Sequence, residues 1–266
     1  MTDSPGALFE RLLQVMACLR GPGGCPWDRE QTRTSLKPYL VEETYEALEA
    51  IESGEVGALE EELGDVLFQV VFHAQIAAEQ GDFAMASLLE RLVAKMVTRH
   101  PHVFANATVG TPAEALTQWE AIKQREAKKA GRPRSVLDGV PRALPALLRA
   151  QRIQSKASRV RFDWPDAAAA WKKVREETAE AEHALASGRK DEIGEELGDL
   201  LFAVVNVARL AGLDAEDLLH AANEKFHRRF TAMEAELGAR GTTIADAAPH
   251  DLERSWEAAK TGERTV

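Results

Sequence analysis

Apolar residues along most of this chain recur every three or four positions, the period of an amphipathic helix. LFERLLQVMACLR (residues 8–20) shows it first, and GPGGCP ends it, because glycine and proline interrupt helical backbone. Thr34 or Ser35 is placed to cap the next helix. That helix has Leu36, Tyr39, Leu40 and Leu48 on its apolar side and stops near Ser53-Gly54. A third helix carries EELGDVLFQVVFHAQIAAEQ and ends at Gly81. Beyond Asp65 it is apolar almost all round, which predicts a central, buried position. A fourth covers about residues 85–99, where the proline of RHPH stops it.

The second half follows the same plan. Pro165 sits at the first turn of a helix running through Trp171 to Ala186. Ser187-Gly188 breaks it, a helix expected to be buried follows over about residues 193–211, and Asp214 is placed to cap another reaching about Leu237. The tail ends in a short helix with Trp256 and Lys260, matched earlier by Trp119 and Lys123. No stretch alternates convincingly with a strand's period, so the expected fold class is all-α.

The two halves also repeat in letters. EELGDVLF (61–68) and EELGDLLF (195–202) differ at one position, and VEETYEA and REETAEA precede them at the same offset of 134 residues. A repeat that keeps its motifs and its spacing indicates a duplicated unit. The expected organisation is a helical-bundle repeat over residues 1–130, a Lys-, Arg-, Gly- and Pro-rich linker over 131–150, and a second repeat over 151–266. At 266 residues, each half is long enough to bury a core of its own.

The formal net charge of −10 argues against a broad nucleic-acid surface, and the basic run near the linker reads as a solvated stretch. Cys18 and Cys25 are the only cysteines, and no Cys–His set has zinc-ligand spacing. The opening residues MTDSPGALFERLLQ do not show a basic stretch followed by an apolar one, so a signal peptide is not expected, and no apolar run approaches roughly 18 residues. The expectation is a reduced, cytoplasmic protein with no membrane partner. No Ser–His–Asp set, P-loop or dinucleotide fingerprint is visible, and GPGG lacks the following GK[ST]. Any chemistry must come from metal and water.

Glu177 and Glu180 are three apart on one helix face, and Glu196 and Asp199 are three apart on the next. The short connection SGRKDEIG makes those helices antiparallel neighbours. Four converging carboxylates repel one another and must protonate, splay into water or bind a cation. Ligands that are all oxygen suit Mg²⁺ or Mn²⁺. Glu43, Glu46, Glu62 and Asp65 form the same array in the first repeat. One EExxE motif is usually a solvated face. A paired array present twice, beside the most apolar helix, favours a metal site.

Gly64 and Gly198 lie among these acids, and a helix-interior glycine permits close helix approach or leaves room for a ligand. Lys225 and Arg229 share a face, as do Lys95 and Arg99; each pair suits phosphate oxygens or ordinary surface ion pairing. Trp27 and Trp164 are suited to stacking on a base or to filling a core. His73, on an apolar helix, reads as a packed residue.

CPWDREQT, SLKPYLVEETYEA, EELGDVLFQVVFHAQ and RHPHVF, followed by REETAEA, EELGDLLFAVVNVARL, NEKFHRRF and SWEAAK, resemble the MazG family of nucleoside triphosphate pyrophosphohydrolases in content and order. The resemblance implies the all-α pyrophosphohydrolase fold, a homodimer of intertwined helical units, and Mg²⁺-dependent hydrolysis of (d)NTPs to (d)NMP and pyrophosphate. It implies metal ligation by Glu177, Glu180, Glu196 and Asp199, with Glu176 in support. Glu176 or Glu177 would handle the attacking water, Lys225 and Arg229 the triphosphate, and Trp256 and Lys260 would lie near the nucleotide. The matching residues of the first repeat are Glu43, Glu46, Glu62 and Asp65, supported by Glu42, with Lys95 and Arg99 as the cations. The proline of RHPH shortens the first repeat's cationic helix, so turnover is expected in the second. The rival readings are a dUTP- or phosphoribosyl-ATP-specific enzyme of the same fold, and a non-catalytic helical interaction module.

Overall fold

The computed structural model describes residues 3–129 and 135–262; among them are twelve helices and no strand. The chain forms two compact units, Met1–Lys123 and Gln124–Val266. In the first, α1 (Pro5–Arg20), α2 (Pro26–Glu30), α3 (Lys37–Ser53), α4 (Val56–Glu79), α5 (Met85–Arg99) and α6 (Pro101–Phe104) precede α7 (Pro112–Lys129), which begins in this unit. The core joins Met16 of α1, Leu36, and Val71, Phe72 and Ile76 of α4, with Phe9, Leu12, Leu13, Phe68 and Met85 around them. The turn after α1 needs Gly24, where a Cβ would lie 2.2 Å from the Leu19 carbonyl oxygen. Gly54 ends α3 at φ 72°, in the left-handed region that glycine adopts without strain.

The cap expected from Thr34 or Ser35 takes another form. Leu36 occupies the cap position of α3 without a side-chain bond. One turn earlier, Thr32 N donates to Ser35 Oγ (2.9 Å) and Ser35 N to Thr32 Oγ1 (3.1 Å). Leu36 is fully buried, so the position is spent on packing and the hydroxyls satisfy the preceding turn.

The second unit contains α8 (Ala146–Ser158), α9 (Ala167–Ser187), α10 (Lys190–Leu210), α11 (Ala215–Ala239) and α12 (Pro249–Gly262). Asp166 caps α9 by accepting from Ala169 N (2.7 Å), and Asp214 caps α11 by accepting from Glu216 N (3.0 Å). Gly188, at φ 70°, separates α9 from α10, which packs on α9 and α8, while α12 packs on α11. Val205, Ala208 and Ala215 form the core cluster with Leu147 and Ala150. Helix α8 begins inside the stretch read as a linker, and part of that stretch, residues 131–134, lies outside the described residues.

The expected all-round burial of α4 and α10 is not observed. Val71, Phe72 and Ile76 are inaccessible, yet Leu67 is 42% exposed; on α10, Val205 is buried but Leu201 is 59% exposed. Each helix is covered on one side by its own unit, and no described helix of that unit covers the other. The apolar face of α5 is likewise open at Leu92, Val93 and Val97. No described helix is long and apolar enough to cross a membrane. Cys18 and Cys25 are free thiols.

Candidate metal centre

Helices α9 and α10 run side by side and bring the two acid pairs of the second repeat together. Glu177, Glu196 and Asp199 each offer a carboxylate oxygen within 4.8 Å of the others, and Glu176, Glu177 and Glu180 form a second such group. Glu177 belongs to both and is 4% exposed, so its charge needs a partner. Lys173, one turn earlier on α9, supplies one: its Nζ lies 2.6 Å from Glu176 Oε1 and 2.6 Å from Glu177 Oε1. Hydrogen bonds to Glu176 and Glu177 hold the Lys173 ammonium above its ordinary pKa range. The hydrogen bond shared with Glu177, then burial and the Glu177 charge, push the Glu180 carboxyl up.

The first repeat builds the same kind of group from Glu43, Glu62 and Asp65. Burial is the main cause of a raised pKa at Glu43, where Asp65 and Glu46 add repulsion. Burial, followed by Asp65, Glu61 and Glu43, raises Glu62. Gln69 Nε2 donates to Glu43 Oε1 at 3.3 Å, and its buried Oε1 has no hydrogen-bond partner among the described residues. These donors are hard oxygens, crowded and partly desolvated, a set that fits Mg²⁺ or Mn²⁺. The open question about Gly64 and Gly198 resolves toward room: a Cβ at either would meet nothing within 4 Å.

A cavity of about 730 Å³ opens beside Glu177 and Asp199 in the second unit; Lys173, Phe162, Trp164 and Asn206 also line it. The positions of the first repeat that match by the 134-residue offset are filled differently. Phe72 stands where the second repeat has Asn206, and Tyr39 where it has Lys173. Trp27 meets both edge-on, with ring centroids 5.7 Å from Tyr39 and 6.5 Å from Phe72, and the Arg20 guanidinium lies 5.3 Å from the Phe72 centroid.

The remaining expected site residues lie on other elements. Lys225 and Arg229 are on α11, and Trp256 and Lys260 on α12; Trp256 packs on Phe226 at 5.3 Å, and Lys260 pairs with Glu257. None of these four lines the cavity. In the first unit, Arg99 lies over the Trp119 ring at 5.5 Å, and Lys95 lines a groove on α5 with Phe83 and Leu92. The His73 imidazole is held below its ordinary pKa range by burial, then Arg33, and belongs to neither acid group. Lys173 and Gln69 were not singled out from the sequence. The only signal for Lys173 was its position three and four residues before Glu176 and Glu177.

The family model described as the MazG nucleotide pyrophosphohydrolase domain matches this sequence twice, at residues 31–104 and 167–233. This chain belongs to the MazG family. It is 44% identical over 262 residues to the nucleoside triphosphate pyrophosphohydrolase/pyrophosphatase MazG of Thermotoga maritima, covering 98% of each chain. It is 45% identical over 259 residues to the nucleoside triphosphate pyrophosphohydrolase of Escherichia coli K12, covering 96% of this chain and 98% of that one. A crystal structure of a mazG-related protein from Thermotoga maritima aligns with 43% of this chain and 98% of its own at 29% identity, with a TM-score of 0.38. Both MazG matches enclose a complete acid array, whereas Trp27, Trp164 and Gln154 fall outside them.

Proposed function

We infer that this MazG-family chain hydrolyses nucleoside and deoxynucleoside triphosphates to monophosphate and pyrophosphate, with turnover in the second repeat. The observation that carries the reading is the cavity of about 730 Å³ that adjoins Glu177 and Asp199, where the first repeat has packed aromatic side chains. A nucleoside fits there while its phosphates reach the acids.

Glu177, Glu180, Glu196 and Asp199 would hold Mg²⁺, with Mn²⁺ as a substitute, and Glu43, Glu46, Glu62 and Asp65 are the counterpart set. Such an ion, when bound, neutralises phosphate charge and lowers the pKa of a coordinated water. Glu176 stands at the edge of the group, where it orients the attacking water or accepts its proton. Lys173 turns from Glu176 and Glu177 to the phosphates, exchanging one set of charged oxygens for another. The uncovered apolar faces of α5 and α10 support a homodimer. In it, Lys225, Arg229, Trp256 and Lys260 of α11 and α12 serve the triphosphate and nucleotide; in the first repeat Lys95 and Arg99 are the cation pair, and Trp27 is placed to stack on a base. The acidic net charge supports a small-molecule substrate over nucleic acid, and a cytoplasmic setting fits the two free thiols.

The test is pyrophosphate release from a panel of triphosphates, in Mg²⁺ and in EDTA, by wild type, Glu62→Gln and Glu196→Gln. Metal-dependent release lost only in Glu196→Gln is expected. Loss only in Glu62→Gln would move turnover to the first repeat, and no release from any triphosphate would overturn the reading.

A further inference from the structure

Two side-chain amides on the cavity wall have orientations fixed by chemistry. Asn206 Oδ1 receives two hydrogen bonds from Arg209, from Nε at 3.0 Å and Nη2 at 2.7 Å. A guanidinium only donates, so the oxygen of Asn206 must face it, and Nδ2 is the edge left for the cavity. Arg209 cannot swing away easily, because its Nη2 also pairs with Asp163 Oδ1, which accepts from Trp164 N at 2.9 Å. Gln154 is set the opposite way. Its Nε2 donates to the Phe202 carbonyl at 2.8 Å, and a carbonyl only accepts. Gln154 Oε1 is therefore an acceptor; it is buried and has no hydrogen-bond partner among the described residues. Asn206, Arg209, Asp163 and Gln154 all line the cavity.

We propose that this wall reads the base of the nucleotide, with Asn206 donating to an exocyclic carbonyl oxygen and Gln154 accepting from the adjacent ring N–H. The class recognised is an oxo base, a 6-oxopurine or 4-oxopyrimidine. Arg209 is a positioning residue: it holds the carboxamide one way round and, by polarising Oδ1, strengthens the Nδ2 donors. A stronger donor gains most from the stronger acceptor, and the exocyclic oxygen is stronger and less hindered than a ring nitrogen. An amino group at the same place sets donor against donor and leaves polar groups unpaired. The first repeat cannot make this distinction, because Phe72 and Gln75 occupy the positions matching Asn206 and Arg209.

The proposal rests on the cavity holding the nucleoside, and its test separates the two claims. kcat/KM is compared within two pairs, ITP against ATP and UTP against CTP, which exchange an oxo for an amino group. In parallel, titrations with the α,β-imido analogues in Mn²⁺ measure binding without turnover. Wild type should favour the oxo member by about tenfold, the worth of one hydrogen bond. Asn206→Asp keeps an oxygen for Arg209 but turns an acceptor to the cavity, so it should erase or invert the ratio. Arg209→Leu should erase the ratio, which a merely structural role would leave in place. Equal use of both members by wild type, preference for the amino member, or an unchanged ratio in Asn206→Asp would overturn the proposal. Absence of turnover with the oxo preference intact in binding would sustain the base-reading wall and overturn the hydrolytic reading.

Discussion

Replacing Glu177 with Gln separates a metal centre from an acidic helix face. In the second repeat its carboxylate lies within 4.8 Å of oxygens from Glu196 and Asp199. Two unit charges at that distance repel by about 0.9 kcal/mol in water and about 3.5 kcal/mol at an effective dielectric of 20. The exposure of Asp199 draws its pair toward the lower figure. Against that relief stands the lost Glu177–Lys173 pair, discounted to roughly 1 kcal/mol because the lysine side chain is 37% exposed. In EDTA, therefore, the variant should be about as stable as wild type. In Mn²⁺ at a hundred times its dissociation constant, an intact site gains about 2.7 kcal/mol, and a site bound a hundredfold more weakly gains about 0.4 kcal/mol. The difference corresponds to roughly 5–9 °C in the melting temperature of a unit of this size. Calorimetry in EDTA and in Mn²⁺ measures it, with Glu43→Gln in both proteins so that only the second site reports. An equal Mn²⁺ gain with and without Glu177, or no gain with Glu177 present, would refute the assignment of these acids to a cation.

The raised carboxyls predict a pH signature. Glu43, Glu62 and Glu180 bind protons more tightly in the folded chain than an ordinary glutamate, whose value is 4.5. Their effect is most favourable below the unfolded value and is lost as pH rises through the folded values, so stability in EDTA should decline above 4.5. Saturating Mn²⁺, which takes the ionised carboxylates, should flatten that decline; an identical slope in both conditions would count against the site. Glu79, lowered mainly by its hydrogen bond from Arg20, acts oppositely, contributing stability that is lost as pH falls below 4.5. Gly198→Ala should stabilise α10 by about 1 kcal/mol, since the new methyl group meets nothing within 4 Å. If that space admits a ligand or a second chain, pyrophosphate release should fall while the melting temperature rises; a lowered melting temperature would show the space to be occupied within the unit.

The convergence of the acids was legible because it follows from helical period and a short connection. Glu177, Glu196 and Asp199 meet because α9 and α10 are antiparallel neighbours, and Glu180 joins them through Glu177. Helix ends were legible where a single residue decides them, as Gly54 and Gly188 do through positive φ. Helix α8 was not, because basic, Gly- and Pro-rich flanks masked the apolar period of ALLRAQRIQSKAS. Lys173 was hidden for another reason: lysine one turn before glutamate is common on any solvated helix, and only the burial of Glu177 gives this one significance. Asn206 and Arg209 were beyond reach, since their roles depend on Asp163, distant in sequence and brought near by the fold.

Comparing the repeats explains why one scaffold yields two different sites. The offset of 134 residues preserves all four acids but exchanges Tyr39 for Lys173, Gln69 for Ala203, Phe72 for Asn206 and Gln75 for Arg209. Gln69 and Phe72 follow the acids on the face of α4 that packs inward, and both are buried. The smaller Ala203 and Asn206 at those places remove volume beside the acids, where the second unit has its cavity. The same exchange thins the core. The first unit clusters Met16, Leu36, Val71, Phe72 and Ile76, each at 2% exposure or less, whereas the second clusters Val205, Ala208 and Ala215. The first repeat has aromatic packing where the second has polar groups facing a cavity, the exchange of stability for function that the proposed nucleotide site requires. The second unit therefore has more to gain from a bound cation and nucleotide than the first, and its melting temperature should respond more strongly to both.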